Sequence, residues 1–187
     1  MSDHAAAIRG LRRWHPSPIV QDTITRIRRH GWAVTAVSQV CEYCRSDRCE
    51  APDCSFAYTT GVTLHSLPEI AVYGLEFHVG GRLLNELVDL LHRYDWRDLV
   101  DQGTPVTVRA LDVPVQLIEM IDKSDLCVTN ELFPNTHALQ AVWPDDHGRF
   151  PWDAGYSLRH DDQHLRGVAD TGAARIRRPR VIRQGRA

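Results

Sequence analysis

Long apolar runs and lysine are what this sequence has least of. No apolar stretch in the 187 residues approaches the roughly 20 residues that a membrane-spanning helix needs. Residues 1–7 are small or polar and contain no apolar segment of the kind found in a secretory signal. Lys123 is the only lysine, a bias typical of a GC-rich bacterial genome. We therefore expect a soluble, cytoplasmic bacterial protein with no membrane partner.

Recognisable catalytic motifs are also missing. The chain has no identifiable Ser-His-Asp arrangement, phosphate-cradling glycine loop or His-Glu-x-x-His helix. Its hydrophobic content of 43% and charged content of 25% are ordinary for a globular protein, and its length favours a single well-filled core. We predict one α+β domain over residues 16–156, preceded by a flexible arm, 1–15, and followed by a basic, disordered tail, 157–187.

Apolar periodicity predicts two principal helices and a mainly antiparallel sheet. The first helix begins at Ser17-Pro18, where serine can cap and proline is tolerated, and Gly31 ends it. A second helix is predicted over 78–94 from leucines and valine at i, i+3, i+4 and i+7. The residues rich in strand formers are 32–37, 56–62, 70–73, 105–111, 114–120 and 138–142. Residues 122–133 are ambiguous, and we expect a short helix there.

Four of the five cysteines lie within fourteen residues, spaced Cys-x2-Cys-x4-Cys-x4-Cys; they are Cys41, Cys44, Cys49 and Cys54. Four thiolates suit a tetrahedral zinc ion, and the short spacers let one loop supply all of them. The spacing equals that of a retroviral-type zinc knuckle, with Cys49 where the knuckle has histidine. Arg45 and Arg48 lie inside the loop and offset its excess negative charge. If strands 32–37 and 56–62 pair, the loop is the tip of their hairpin.

Zinc is not the only interpretation of this cysteine loop, residues 41–54. An iron–sulfur cluster also takes four thiolates, and paired disulfides would suit a secreted module. Ligand type and the expected compartment favour zinc. Cys127 is distant in sequence and is predicted to be a small buried residue rather than a ligand.

Charge is distributed unevenly along the chain. The overall net charge is −2, yet from residue 172 onward there are six arginines and no acid; they are Arg175, Arg177, Arg178, Arg180, Arg183 and Arg186. A basic tail is attracted to phosphate backbones, and zinc knuckles commonly contact RNA. The tail and the loop together predict association with RNA or the ribosome, with a protein partner also expected.

The alternative prediction is a small-molecule-binding domain, or an enzyme of unknown reaction that uses residues 145–149, with no catalytic residue assigned. Its candidate groups are Tyr58, Thr59, Glu69, Asp145, Asp146, His147 and Arg149. A histidine beside two aspartates is a possible general acid or base, whereas Asp-Asp-His-Gly is also ordinary turn chemistry. Similarly, the aromatics at Tyr58, Trp143, Phe150 and Trp152 either line a ligand pocket or belong to the core.

Several segments in order resemble the bacterial family catalogued as domain of unknown function 4262. They are His-Gly-Trp-Ala-Val (30–34), Phe-Ala-Tyr-Thr-Thr-Gly-Val (56–62), Pro-Glu-Ile (68–70), Tyr-Gly-Leu (73–75), Leu-Leu-Asn (83–85) and the Val-Trp-Pro to Phe-Pro-Trp loop (142–152). The likeness spans 26–156 and implies a domain, with no activity to transfer to named positions. Typical members have a short acidic turn where this chain carries the cysteine loop. We therefore expect a non-enzymatic, zinc-responsive regulatory adaptor, such as one that recruits a hibernation factor to the ribosome.

Overall fold

The structure, a computed structural model, describes residues 4–37 and 55–169. Its strands are β1 Ala33–Val37, β2 Phe56–Thr60, β3 Glu69–Tyr73, β4 Gln116–Met120, β5 Ala138–Val142 and β6 Gly167–Val168. Its helices are α1 His4–Ala7, α2 Pro18–His30, α3 Phe77–Leu91, α4 Trp96–Gln102 and α5 Cys127–Leu132. The fold is α+β, and α2 and α3 are the two long helices that the apolar periodicity predicts.

The strands form one mixed sheet in the order β1-β2-β3-β5-β4-β6. Only β3 and β5 pair in parallel among the described strands, and the other ladders are antiparallel. The two parallel strands lie at the centre, and every residue in them is buried. Continuous apolar runs suit such positions, because helices cover both faces of the sheet there.

Successive residues of β2 and β3 point to opposite faces, and each face has its own core. Ala57, Ile70 and Val72 pack against α3 and neighbouring segments, while Tyr58 and Ala71 pack on the side of α2 and α5. This alternation follows from the two-residue period of a strand. Because helices cover both faces of the sheet, the sheet edges and the loops are the parts of the domain that remain accessible for binding.

Two sequence predictions are wrong in detail. Residues 105–111 do not form a strand: Val106 makes a single bridge to Val115, and Val108 is buried in the α3-side core without a ladder. The apolar side chains of this segment therefore contribute to core packing rather than to a strand. Cys127 is exposed rather than buried, because it begins α5 while its neighbour Leu126 turns inward.

Both ends of the described chain make contacts with the domain. In the segment predicted as a flexible arm, Leu11 is buried, and its carbonyl oxygen accepts a hydrogen bond from Arg28 (2.6 Å). In the segment predicted as the tail, β6 pairs with β4 and Gln163 is buried. None of the described helices is long and apolar enough to cross a membrane.

Candidate functional site

The cysteine loop joins two strands that pair directly. β1 and β2 are antiparallel, with Val37 opposite Phe56, so the predicted pairing of these strands is confirmed. The described residues on the two sides of the loop thus lie next to each other on the outer two strands of the sheet at its β1 edge. The predicted zinc ligands Cys41, Cys44, Cys49 and Cys54 lie outside the described residues, and the zinc site remains a prediction.

Ser55 is the first described residue after the loop, and it is firmly anchored. It is buried, its hydroxyl donates to the carbonyl oxygen of Leu75 (2.6 Å), and its carbonyl oxygen accepts from the amide of Gly74 (2.8 Å). The ring of the next residue, Phe56, lies nearly parallel to that of Tyr73, 5.4 Å away. Ser55 and Phe56 therefore form a rigid base at the end of the cysteine loop.

Tyr58 and Tyr73, near this base, have buried phenols with structural partners. The amide of Val128 donates to the Tyr58 oxygen (3.4 Å), and the Tyr73 hydroxyl donates to Asp125 (3.1 Å). Burial raises the pKa of Tyr58, and burial followed by the charge of Asp125 raises the pKa of Tyr73. Tyr58 belongs to the α2-side core, so the structure places it in packing rather than in a ligand pocket.

Glu69, another enzyme candidate, is fully buried in β3. One carboxyl oxygen accepts the Thr59 hydroxyl (2.6 Å), and the other accepts the amides of Gly61 (2.8 Å) and Thr63 (3.0 Å). Burial raises the pKa of Glu69 against the opposing effect of these hydrogen bonds. The Thr59 oxygen in turn accepts the amide of Ile70 (2.9 Å). The pair thus fastens the turn that follows β2.

Asp145 is the centre of a hydrogen-bonded cage in residues 145–149, which we call the Asp145 loop. One carboxyl oxygen accepts the amides of His147 and Arg149 (both 2.9 Å). The other accepts the Arg149 guanidinium (3.0 and 3.1 Å) and the amide and hydroxyl of Ser157 (3.0 and 2.8 Å). Burial favours the neutral acid, but these hydrogen bonds together hold the pKa of Asp145 well below its ordinary range.

The Asp145 loop therefore resembles a structural turn more than a catalytic one. Asp146 and His147 are exposed, whereas Asp145 keeps only 2% of its surface. A carboxylate whose oxygens accept five hydrogen bonds and pair with an arginine is poorly placed to exchange a proton with a substrate. Arg149 pairs with the carboxylate of Asp145, as the turn interpretation of this segment requires.

The aromatic residues around this loop pack against one another and the sheet. Trp143 donates its indole N–H to the carbonyl oxygen of Tyr73 (3.1 Å). Phe150 and Trp152 stack with parallel rings 5.3 Å apart, and both join a small cluster with Ile118. Packing, rather than a ligand pocket, accounts for these side chains.

A cleft of about 670 Å³ that the sequence did not reveal lies beside the end of α2. The rings of His4 and His65 stack at 6.1 Å, His65 meets His92 edge to face at 5.7 Å, and Trp32 lies 6.3 Å from His92. Burial, then the neighbouring His65, lowers the pKa of His92. These side chains come from four separate segments, so local spacing carries no signal of the cleft.

A second histidine cluster was also missed by the sequence analysis. His160, Asp161 and His164 present ligand-type atoms that all lie within 4.8 Å of one another. Two histidines four residues apart with an aspartate between them are a local signal that was available. It was overlooked because this segment was assigned to the tail.

These elements define an α+β domain on one mainly antiparallel mixed sheet. The family model described as Domain of unknown function (DUF4262) matches residues 26–157, and the chain belongs to this family. Among curated proteins and among solved structures, nothing matches the chain. The matched range contains the cysteine loop and the Asp145 loop and ends before His160.

Proposed function

We propose that this protein is a zinc-binding regulatory adaptor without a catalytic site of its own. In this proposal Cys41, Cys44, Cys49 and Cys54 hold one zinc ion, and the six arginines that follow residue 172 contact RNA phosphates, on the ribosome or elsewhere. A zinc-dependent change in the loop would then control a protein partner.

The cysteine spacing is the observation that carries the proposal. Four thiolates in a Cys-x2-Cys-x4-Cys-x4-Cys series are close enough along the chain to bind one ion. The paired residues Val37 and Phe56 support it, since they bring the two ends of the loop together. A pre-closed loop loses less chain entropy on metal binding than an open segment does.

The burial and hydrogen bonding of the candidate catalytic residues favour an adaptor over an enzyme. Glu69 and Asp145 are buried and are hydrogen-bonded by side chains and amides of their own domain. General acid–base catalysis needs a group within reach of substrate. His147 is exposed, and of the two aspartates that precede it Asp145 is held by Arg149 and Ser157.

More specifically, we propose that the protein recruits a hibernation factor to the ribosome. The model for this proposal is the mycobacterial recruiter that acts with a protein Y-type factor, and the features that suggest it are the arginine-rich composition, the cysteine loop and the basic segment. If zinc controls this role, withdrawing zinc from cells should change the protein's abundance or its ribosome association. Unchanged values of both would contradict the sensing role.

Elemental analysis of untagged protein, purified without added metal and dialysed against metal-free buffer, tests the zinc site. We expect about one zinc per chain in the wild type and almost none after C41S/C44S, because removing two thiolates leaves too few ligands. The control is C127S, which removes the exposed cysteine in α5 and should keep its zinc. Zinc retained by C41S/C44S, or iron with sulfide in the wild type, would refute this assignment.

The RNA contact is tested by binding to single-stranded RNA at several salt concentrations. Six phosphate contacts predict a slope of about −4 in log affinity against log salt. Changing the six arginines to glutamine should flatten the slope, whereas changing them to lysine should preserve most of it, since lysine retains the charge. Equal slopes for the glutamine variant and the wild type would exclude the arginines as the contact.

A further inference from the structure

We propose that His160, Asp161 and His164 form a second metal site, which binds a divalent ion of the zinc class reversibly. The three residues lie on a turn, residues 159–164, that we call the histidine turn. This site is separate from the cysteine loop and does not depend on the function proposed above.

The three side chains are already close to a ligand arrangement. The rings of His160 and His164 are 4.9 Å apart and nearly perpendicular, and His160 Nδ1 lies 3.7 Å from a carboxyl oxygen of Asp161. With all ligand atoms within 4.8 Å of one another, side-chain rotations alone can bring them to bonds of about 2.0–2.2 Å around one ion.

The backbone that carries these ligands is held in place. The amide of Asp162 donates to the carbonyl oxygen of Arg159 (3.0 Å), and the Asp162 carboxylate accepts the Arg159 guanidinium (2.7 Å). Because Arg159 pairs with Asp162, the adjacent carboxylate of Asp161 remains on the exposed side with the imidazoles.

Buried amide side chains fix the far end of the turn. Gln163 is 3% exposed and exchanges two hydrogen bonds with the backbone of Trp143 (2.9 and 3.0 Å). Gln140 donates to the carbonyl oxygen of His164 (2.6 Å). Gln163 is turned inward, whereas His160 and Asp161 are exposed and His164 is half-buried. A site with a fixed backbone loses less entropy on binding.

The chemistry of the donors identifies the class of ion. Imidazole nitrogen with carboxylate oxygen is a ligand set typical of zinc and its transition-metal neighbours. Three protein ligands leave a coordination position for water or an external group. The side chains of His160 and Asp161 are 75% and 61% exposed, so the ion can exchange with solvent. Arg166 is the nearby cation, and Asp122 and Asp125 pair with it (3.0 and 2.9 Å).

The histidine turn also lies next to the base of the cysteine loop. Gly74 donates to Ser55 (2.8 Å), and its α-carbon packs so tightly against the Asp162 carbonyl that an added Cβ would collide with that oxygen. A single glycine thus separates the exchangeable site from the first described residue after the loop.

Calorimetric titration of Zn²⁺ into untagged full-length protein, after dialysis against metal-free buffer, tests the proposal. We expect a binding event of about one ion per chain that H160A/H164A weakens at least tenfold, because only the carboxylate remains. The matched control H78A/H147A removes two exposed histidines elsewhere and should leave the event unchanged. The variant with serine at all four loop cysteines should also retain it.

Three results would overturn the site: equal affinity in H160A/H164A, equal loss in H78A/H147A, or loss only in the cysteine variant. Loss of binding only in the cysteine variant would still be consistent with the proposed zinc site in the cysteine loop. Loss of binding only in H160A/H164A would support the histidine turn and would not contradict the zinc site in the cysteine loop. If H160A/H164A does not fold, the wild type is titrated while the imidazole NMR signals are followed. Zinc must then shift the His160 and His164 resonances first; unshifted signals at these two rings reject the proposal.

Discussion

The Asp145 loop and the histidine turn contain almost the same residue types but arrange their carboxylates and histidines differently. The first has Asp145-Asp146-His147 followed by Arg149, and the second has Arg159-His160-Asp161-Asp162 followed by His164. In the Asp145 loop the arginine and the local amides surround a buried carboxylate. In the histidine turn the arginine pairs with Asp162, and the two histidines and Asp161 lie together on the outside.

The position of the arginine relative to the carboxylates differs between the two segments. Arg149 follows Asp145 by four residues and folds back onto it, whereas Arg159 precedes Asp162 by three. In each segment one aspartate pairs with the arginine and the other stays exposed. In the histidine turn two histidines lie close to the exposed aspartate, whereas the Asp145 loop contributes a single histidine. The Asp145 loop therefore lacks the second imidazole that the proposed metal site uses.

The largest expected effect is on the Asp145 loop. D145N replaces an acceptor oxygen with an NH₂ group that faces donors from Arg149 and Ser157, so several hydrogen bonds are lost at once. We expect a fall in Tm on the order of 10 °C, measured by differential scanning fluorimetry. D146N is the control, because Asp146 is exposed. Equal Tm values for the two variants would mean that the cage contributes nothing.

A smaller effect is expected at Gly74, which seats the histidine turn. G74A places a Cβ against the Asp162 carbonyl at a backbone φ of +76°, so the turn must shift. We expect a loss of about 2 kcal/mol or more, measured by urea unfolding, with weaker zinc binding at the turn and unchanged zinc in the cysteine loop.

Gly81 in α3 provides the matched control for this substitution. Nothing lies within 4 Å of a Cβ added there, so G81A should gain about 0.5–1 kcal/mol from helix propensity. A stable G74A variant with full zinc binding at the turn would refute the close packing of Gly74 against the turn.

The smallest effect is a difference in pH dependence. Since folding lowers the pKa of Asp145, its contribution to stability is present above the ordinary aspartate pKa and is lost as pH falls toward the folded-state value. Below roughly pH 5 the wild type should therefore lose stability more steeply than D145N. Urea unfolding between pH 7 and pH 3 measures this slope. Parallel curves for the two proteins would contradict the lowered pKa.

Much of the fold was predictable because its signals are local. The helix start at Pro18, the leucine periodicity of α3 and the apolar runs of β3 and β5 all lie within single elements. The strand predicted over 105–111 failed because its buried valines serve the core without a partner strand. Apolar alternation indicates burial, and a ladder additionally requires an available edge.

The candidate sites divide along the same line. The predicted ligands Cys41, Cys44, Cys49 and Cys54 were proposed from spacing alone, since ligands supplied by one short loop are neighbours in sequence. The roles of Glu69 and Asp145 depended on partners such as Thr59 and Ser157, which the sequence did not connect to them. Side-chain type and spacing along the chain were enough to propose the zinc loop and the family. Burial and hydrogen-bond partners, which arise when distant segments pack, separated the structural carboxylates of Glu69 and Asp145 from the cluster of His160, Asp161 and His164.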